Sequence, residues 1–352
     1  MELKSSYFAD TWKPYVEDAA WLPLRHDAAR ETLTFAHLPR PAQRRAVFVD
    51  PRFVADAQTS PPLRLADAPL TCVRNRRGPI HFIFHTAFCC STLLARALDI
   101  PGLSMGLKEP GVLMDLSTAL APNRQTAARR TALALTLDLL SRPLAEGETQ
   151  IVKANNASNT ILRQILDARP DAKAILLHAS LESFLGAVAR KGFHGRSFGR
   201  TMYAHLSEAI PLPVDYAMQH LLTLTDLQLA AHVWLMQAAV FADVARQYGP
   251  ERVRLLDSAR FLEDTAGVLL QAARFFEIAL APAQAEAIAQ GPVFREHAKQ
   301  PGLPFDTEMH WRQEEHAQRL HLEEIEFVRA WAHVLARRCN TPASLGDTLC
   351  AV

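Results

Sequence analysis

The chain has 352 residues, 49% of them apolar, which is enough to bury a sizeable core in one large domain or two small ones. Its 38 lysines and arginines stand against 37 aspartates and glutamates, a formal net charge of +1. No global field draws it to nucleic acid or to an acidic membrane surface, so neither is expected as a partner and any anion binding has to be local.

Residues 1–77 carry short apolar runs such as Ala46–Asp50 (AVFVD), separated by Pro, Asp and Arg, with no long helical period. They are read as an N-terminal extension packed on the main domain, with Gln58–Leu63 a loop that enters the core at about Cys72. The first residues lack the apolar stretch of a signal peptide. Cys72, Cys89, Cys90, Cys339 and Cys350 show no C-x-x-C spacing and read as reduced thiols, so a cytoplasmic protein is expected.

From Gly78 onward the pattern alternates between strand and helix. Strands are predicted over Ile80–Phe84, Ser104–Leu107, Ile151–Lys153, Ala174–His178 and Val253–Leu256. Helices are predicted over Ser91–Asp99, Arg124–Ser141, Asn159–Ala168, Leu181–Lys191 and about Ala217–Tyr248. This is the signature of an α/β fold with a parallel sheet between helices. Leu227–Val244, the most apolar long stretch, is interrupted by His232, Gln237 and Asp243 and reads as a buried helix, not a membrane span. The basic, glycine-bearing Arg190–Arg200 reads as a loop. In Arg312–Arg338, Leu320, Ile325, Val328, Trp331 and Leu335 recur at helical spacing, which makes a packing helix, with a helix–helix contact in a homodimer as its other use.

Ligands in such sheets sit beyond the carboxyl ends of the strands, and every predicted strand here ends in polar residues. The first runs into HTAFCCST, His85–Thr92. A strand, a tight loop and a helix opening at Ser91 and Thr92 would aim backbone N–H groups and the positive helix end at one point, an anion site with hydroxyls from Thr86, Ser91 and Thr92. It is not a Walker loop, which needs glycines and a lysine that are absent. There is no HExxH, and His81 with His85 are spaced for a helix while lying on a strand and its loop, so no metal site is predicted. Neither G-x-S-x-G nor G-x-G-x-x-G occurs at the expected places.

The loop resembles the 5′-phosphosulfate loop of the sulfotransferases, a basic residue followed by Ser-Gly-Thr-Thr-x-Leu. The aligned residues are Phe88, Cys89, Cys90, Ser91, Thr92, Leu93 and Leu94. The hydroxyl pair and the helix match, while the basic residue and the glycine are replaced. GLKEPGVLMDL resembles the second strand of tyrosylprotein and bacterial sulfotransferases and puts Glu109 on their glutamate. The run from Ile151 to Gly192 resembles the segment beginning Lys-Thr-His, with Lys153 on the lysine and Asn155 on the histidine. His178 and Gly186 stand where the arginine and serine of the 3′-phosphate site would be. Asp257 replaces a glutamate, and Lys299 matches the lysine of a loop that closes over the cofactor.

The resemblance covers roughly Gly78 to Lys299. It implies a P-loop-like, three-layer sulfotransferase domain over residues 78–300, followed by a C-terminal helical segment over 301–352. It implies 3′-phosphoadenosine 5′-phosphosulfate (PAPS) as cofactor, held by Thr86, Ala87, Phe88, Cys89, Cys90, Ser91, Thr92, His178, Gly186 and Lys299. Glu109 would take the acceptor's proton, Lys153 would neutralise the departing bridging oxygen, and His85 is a second candidate for either task. The acceptor would be a small molecule or peptide bearing a hydroxyl or amine, held by variable loops around Phe193–Tyr216. Two alternatives stand beside this reading: an ATP- and Mg²⁺-dependent phosphotransferase, and a non-catalytic nucleotide-binding or interaction domain.

Overall fold

The computed structural model describes residues 11–212, 214, 218–296 and 307–351. Among the described residues eight strands are formed, in chain order β1 (Trp21–Asp27), β2 (Thr32–His37), β3 (Leu63–Arg64), β4 (Ile80–His85), β5 (Ser104–Lys108), β6 (Thr149–Lys153), β7 (Ala174–His178) and β8 (Val253–Asp257). The first three make an antiparallel sheet, and the other five make a parallel sheet in the order β5-β6-β4-β7-β8. All five strands predicted from the apolar runs are present.

All six side chains of β4 are buried, because the parallel sheet is covered on both faces. Phe82 and Phe84 join one apolar cluster with Leu107, Val152 and Leu176, while Ile83 joins another with Ile151, Ile175 and Leu177. This is the two-residue period of a strand dividing its side chains between two layers. Trp12, Leu33 and Phe35 lie in the same cluster as Phe82, so the antiparallel sheet shares the core of the parallel one.

The first strand of the parallel sheet is its middle strand. The chain leaves β4 for the edge at β5, returns through β6, and then crosses to β7 on the other side. The strand order therefore reverses around β4, and a crevice opens at its carboxyl end.

Three expectations need correction. The helix predicted from Ala217 is two helices, Met218–Thr223 and Asp226–Tyr248, with Ala217 itself outside the described residues. The break is made at Thr225, whose hydroxyl accepts the Gln228 N–H while the Gln228 side chain accepts the Thr225 N–H. The second helix is long and apolar enough to cross a membrane by length and composition, but 83% of its most apolar window is buried inside the protein. Arg190–Arg200 is no loop: Gly192–Ser207 is helical. A Cβ on Gly199 would lie 3.3 Å from the Cβ of Ala230, so the glycine lets this helix close on Asp226–Tyr248. Arg196 pairs bidentately with Glu324 and Arg200 with Asp226, which spends their charge on helix packing. Finally, Arg312–Arg338 belongs to two helices, Thr307–Leu320 and Leu322–Arg338. Ile325, Val328 and Leu335 are buried as the spacing predicts, whereas Leu320 is exposed.

Beyond the last helix the chain turns back along the edge strand β8. The N–H groups of Thr348 and Leu349 donate to the Leu255 carbonyl at 3.0 and 2.9 Å.

Candidate functional site

The segment between β4 and the helix Ser91–Ala97 turns sharply. Ala87, Phe88 and Cys90 take φ values of +71°, +51° and +58°. The left-handed region costs a residue with a Cβ about 1–2 kcal/mol, so three such residues in four positions need external support. Neighbouring elements provide it. The Ala87 N–H donates to His85 Nδ1 at 3.0 Å, and the Thr86 hydroxyl accepts the Ala179 N–H at 3.4 Å. Asn159 Nδ2 donates to the His85 carbonyl at 3.1 Å and to Gln237 Oε1 at 2.8 Å, and Gln237 Nε2 reaches the Thr86 carbonyl at 3.4 Å. Asn159 and Gln237 thus clamp the turn from two other elements.

Cys90 stands where the resemblance expects glycine, and its conformation is one that glycine adopts freely. Cys90→Gly should therefore leave stability unchanged or raise it by up to about 1 kcal/mol, relief of strain offsetting the added freedom of the unfolded chain. Cys90→Val should cost about 2 kcal/mol, since a branched side chain tolerates this region worst. Urea unfolding of the two variants separates these outcomes.

At the start of the helix, Thr92 is 2% exposed, and its buried Oγ1 has no hydrogen-bond partner among the described residues. A buried hydroxyl left unsatisfied costs about 1–3 kcal/mol and marks a place where a ligand oxygen would be welcome.

The ends of β4, β5 and β6 bring the three predicted catalytic residues together. Lys153 closes β6 with its side chain fully buried, and its Nζ bonds to Glu109 Oε1. Glu109 follows β5, and its N–H donates to the Lys153 carbonyl at 2.7 Å. His85 Nε2 lies 4.0 Å from the same Glu109 oxygen. Because His85 Nδ1 accepts the Ala87 N–H, its proton is on Nε2, the nitrogen nearer the carboxylate. A residue before proline is expected to be extended. Glu109 departs from that, with φ at +48°, a strained conformation that turns the carboxylate onto Lys153.

Two contributors come from the segment before β4 and were not singled out from the sequence. The Phe48 ring lies 5.5 Å from Lys153 Nζ, forming an apolar and cation-attracting floor. Val49 stitches this segment in place, its N–H donating to the Lys108 carbonyl and its carbonyl accepting the Gly111 N–H, both at 2.8 Å. Arg52 holds Asp50 at 2.7 Å; the hydrogen bond to Asp50 raises the guanidinium pKa most, and Glu109's charge adds to it. The one sequence signal was the apolar run AVFVD ending in a charged pair across a proline.

The other predicted residues are placed differently. Phe88 sits in an aromatic group with Phe184 and Phe198, with Lys191 Nζ 5.6 Å from its ring. An ammonium therefore stands beside the position where the resemblance expects a basic residue. Cys89 is buried, with its thiol 3.6 Å from the Leu177 carbonyl. His178 ends β7, but its Nε2 lies 3.1 Å from the Gly346 carbonyl of the C-terminal tail. Gly186 is buried in the helix Leu181–Arg190 and offers no hydroxyl. Asn155 Oδ1 accepts the Ser158 N–H at 3.0 Å and so caps the next turn. Lys299 lies outside the described residues, as do Pro213, Asp215 and Tyr216 of the expected acceptor region.

Several solved structures are similar to this chain. One is the sulfotransferase domain from the curacin biosynthetic pathway, with 14% identity, 76% of this chain and 99% of that chain covered, and a TM-score of 0.42. Another is the sulfotransferase from Alicyclobacillus acidocaldarius, with 17% identity, coverages of 73% and 96%, and a TM-score of 0.37. A third is mouse sulfotransferase SULT7A1 complexed with PAP, with 11% identity, coverages of 75% and 93%, and a TM-score of 0.34. No protein-family model and no curated protein matches the chain.

Proposed function

We propose that this chain is a sulfotransferase-like enzyme that moves a sulfuryl group from PAPS to a hydroxyl or amine. The observation that carries the reading is the meeting of Glu109, Lys153 and His85 at the carboxyl ends of adjacent strands, beside the turn Thr86–Thr92. When bound, PAPS supplies the transferable group. The residues present fit its 5′-phosphosulfate end: Thr92 keeps an unsatisfied hydroxyl there, and Lys153 and Lys191 are the nearby cations.

The ion pair with Lys153 aims the Glu109 carboxylate into the site, which a general base requires. Once the carboxylate takes a proton from the acceptor, Lys153 loses its counter-charge and its ammonium becomes available to negative charge developing on the leaving side. Burial strengthens that interaction, because water does not screen it. His85, neutral and presenting its Nε2–H, can steady either partner.

A non-catalytic nucleotide-binding domain is the second reading, and one observation favours it. His178 Nε2 is taken by a carbonyl of the chain's own tail, and Gly186 supplies no hydroxyl, so of these two positions among the described residues only the buried His178 Nδ1 is left to meet a 3′-phosphate.

Calorimetric titration with 3′,5′-adenosine bisphosphate, without added metal, tests the proposal against ATP with Mg²⁺. Binding of the bisphosphate at about micromolar Kd, near −8 kcal/mol, is the expected result. Failure to bind it would overturn the PAPS reading, and ATP–Mg²⁺ binding in its place would favour a phosphotransferase.

A further inference from the structure

The helix Leu322–Arg338 has two apolar faces. Ile325, Val328, Ala332, Leu335 and Ala336 are buried in the core. On the opposite face, Phe327 is 64% exposed and Val334 40%, and Ala330 between them is exposed as well. Within the helix, Phe327, Ala330 and Val334 follow one another at intervals of three and four, which is the spacing of a helix–helix seam. A core-packed helix needs only one stripe, so the second is surface that something else would cover.

The charges around the seam say what that is. Glu323 and Glu326 are exposed near the start of the helix, Arg337 and Arg338 at its end, and none of the four has an ion-pair partner among the described residues. Glu324 and Arg329 are instead spent on Arg196 and Glu182, which hold the helix to its own chain. We infer that two copies of this chain associate through an antiparallel contact of this helix. Phe327, Ala330 and Val334 pack across a twofold axis, and the acidic start of each helix meets the basic end of the other. Parallel pairing would set carboxylates against carboxylates and align the helix dipoles unfavourably, whereas the antiparallel pair is self-complementary and closes. Ala330, midway between Glu323 and Arg337, lies beside the axis.

Sedimentation equilibrium of the full chain tests this, with thermal unfolding of each variant as the check on folding. The native chain should be a dimer, and Phe327→Glu, a change at an exposed position, should be a monomer. Glu323→Arg with Glu326→Arg should weaken the dimer at least about tenfold, and adding Arg337→Glu and Arg338→Glu should bring it back to within about threefold. In a chain whose exposed Cys72 is changed to Ser, Ala330→Cys should form a disulfide-linked dimer on oxidation that Cys72→Ser alone does not form. A native chain that stays monomeric at about 100 µM, below what a dissociation free energy of some 5–6 kcal/mol would allow, overturns the inference. So does a dimer that survives Phe327→Glu, or one lost on the two-site exchange and not regained on the four-site exchange.

Discussion

Glu109→Gln is expected to lower turnover by about 10²–10⁴-fold, the usual contribution of a positioned general base, while leaving the affinity for 3′,5′-adenosine bisphosphate within about threefold. The amide keeps the size of the carboxyl group and can accept a hydrogen bond from Lys153, but it cannot take the acceptor's proton. The split follows from the geometry: Glu109 reaches the site from the end of β5, while the hydroxyls offered to the cofactor belong to the turn after β4. The same change removes the counter-charge of a fully buried ammonium, since Lys153 has no exposed side-chain surface and Glu109 only 19%. Orphaning one member of a buried pair costs about 3–5 kcal/mol, and the retained hydrogen bond places this variant at the lower end. Release of the bisphosphate product, with calorimetry beside it, reads both halves. Unchanged turnover would remove Glu109 from the chemistry, and lost bisphosphate affinity would make its role structural.

The parallel sheet was legible because its strands are covered on both faces and so read as short continuous apolar runs, each ended by polar residues where the chain reaches the crevice. Glu109, Lys153 and His85 each stand at such an end, and it was the resemblance to the sulfotransferase motifs that picked Glu109 and Lys153 out among the polar residues there. What was not legible depends on packing between distant segments. Phe48 and Arg52 reach the site because Val49 bonds to both Lys108 and Gly111, and nothing local in AVFVD announces that contact. The glycines of Arg190–Arg200 read as loop residues, yet at Gly199 the missing side chain is what lets two helices close. The break at Thr225 lies inside an unbroken apolar period, with only the Thr225–Gln228 capping box to mark it. In Leu322–Arg338 two stripes overlap in sequence, and burial alone separates the residues that face the core from those that face outward.

Lys153→Met should lower turnover by about 10²–10³-fold if its ammonium meets leaving-group charge, within the range expected for Glu109→Gln, yet it should destabilise the protein less. The asymmetry lies in the surroundings of the two partners. Glu109 retains some contact with solvent and has His85 Nε2 at 4.0 Å, so it can be hydrated or share the imidazole N–H once the lysine is gone. Lys153 has the Phe48 ring beside it and no exposed surface through which to recover water. A loss of about 1–2 kcal/mol is expected for Lys153→Met, and the double variant Glu109→Gln with Lys153→Met should be more stable than Glu109→Gln alone, because no buried charge is then left unpaired. Denaturant unfolding of the four proteins measures the coupling. A coupling below about 0.5 kcal/mol would mean that the two charges do not depend on each other, and the pair would then lose its place at the centre of the site.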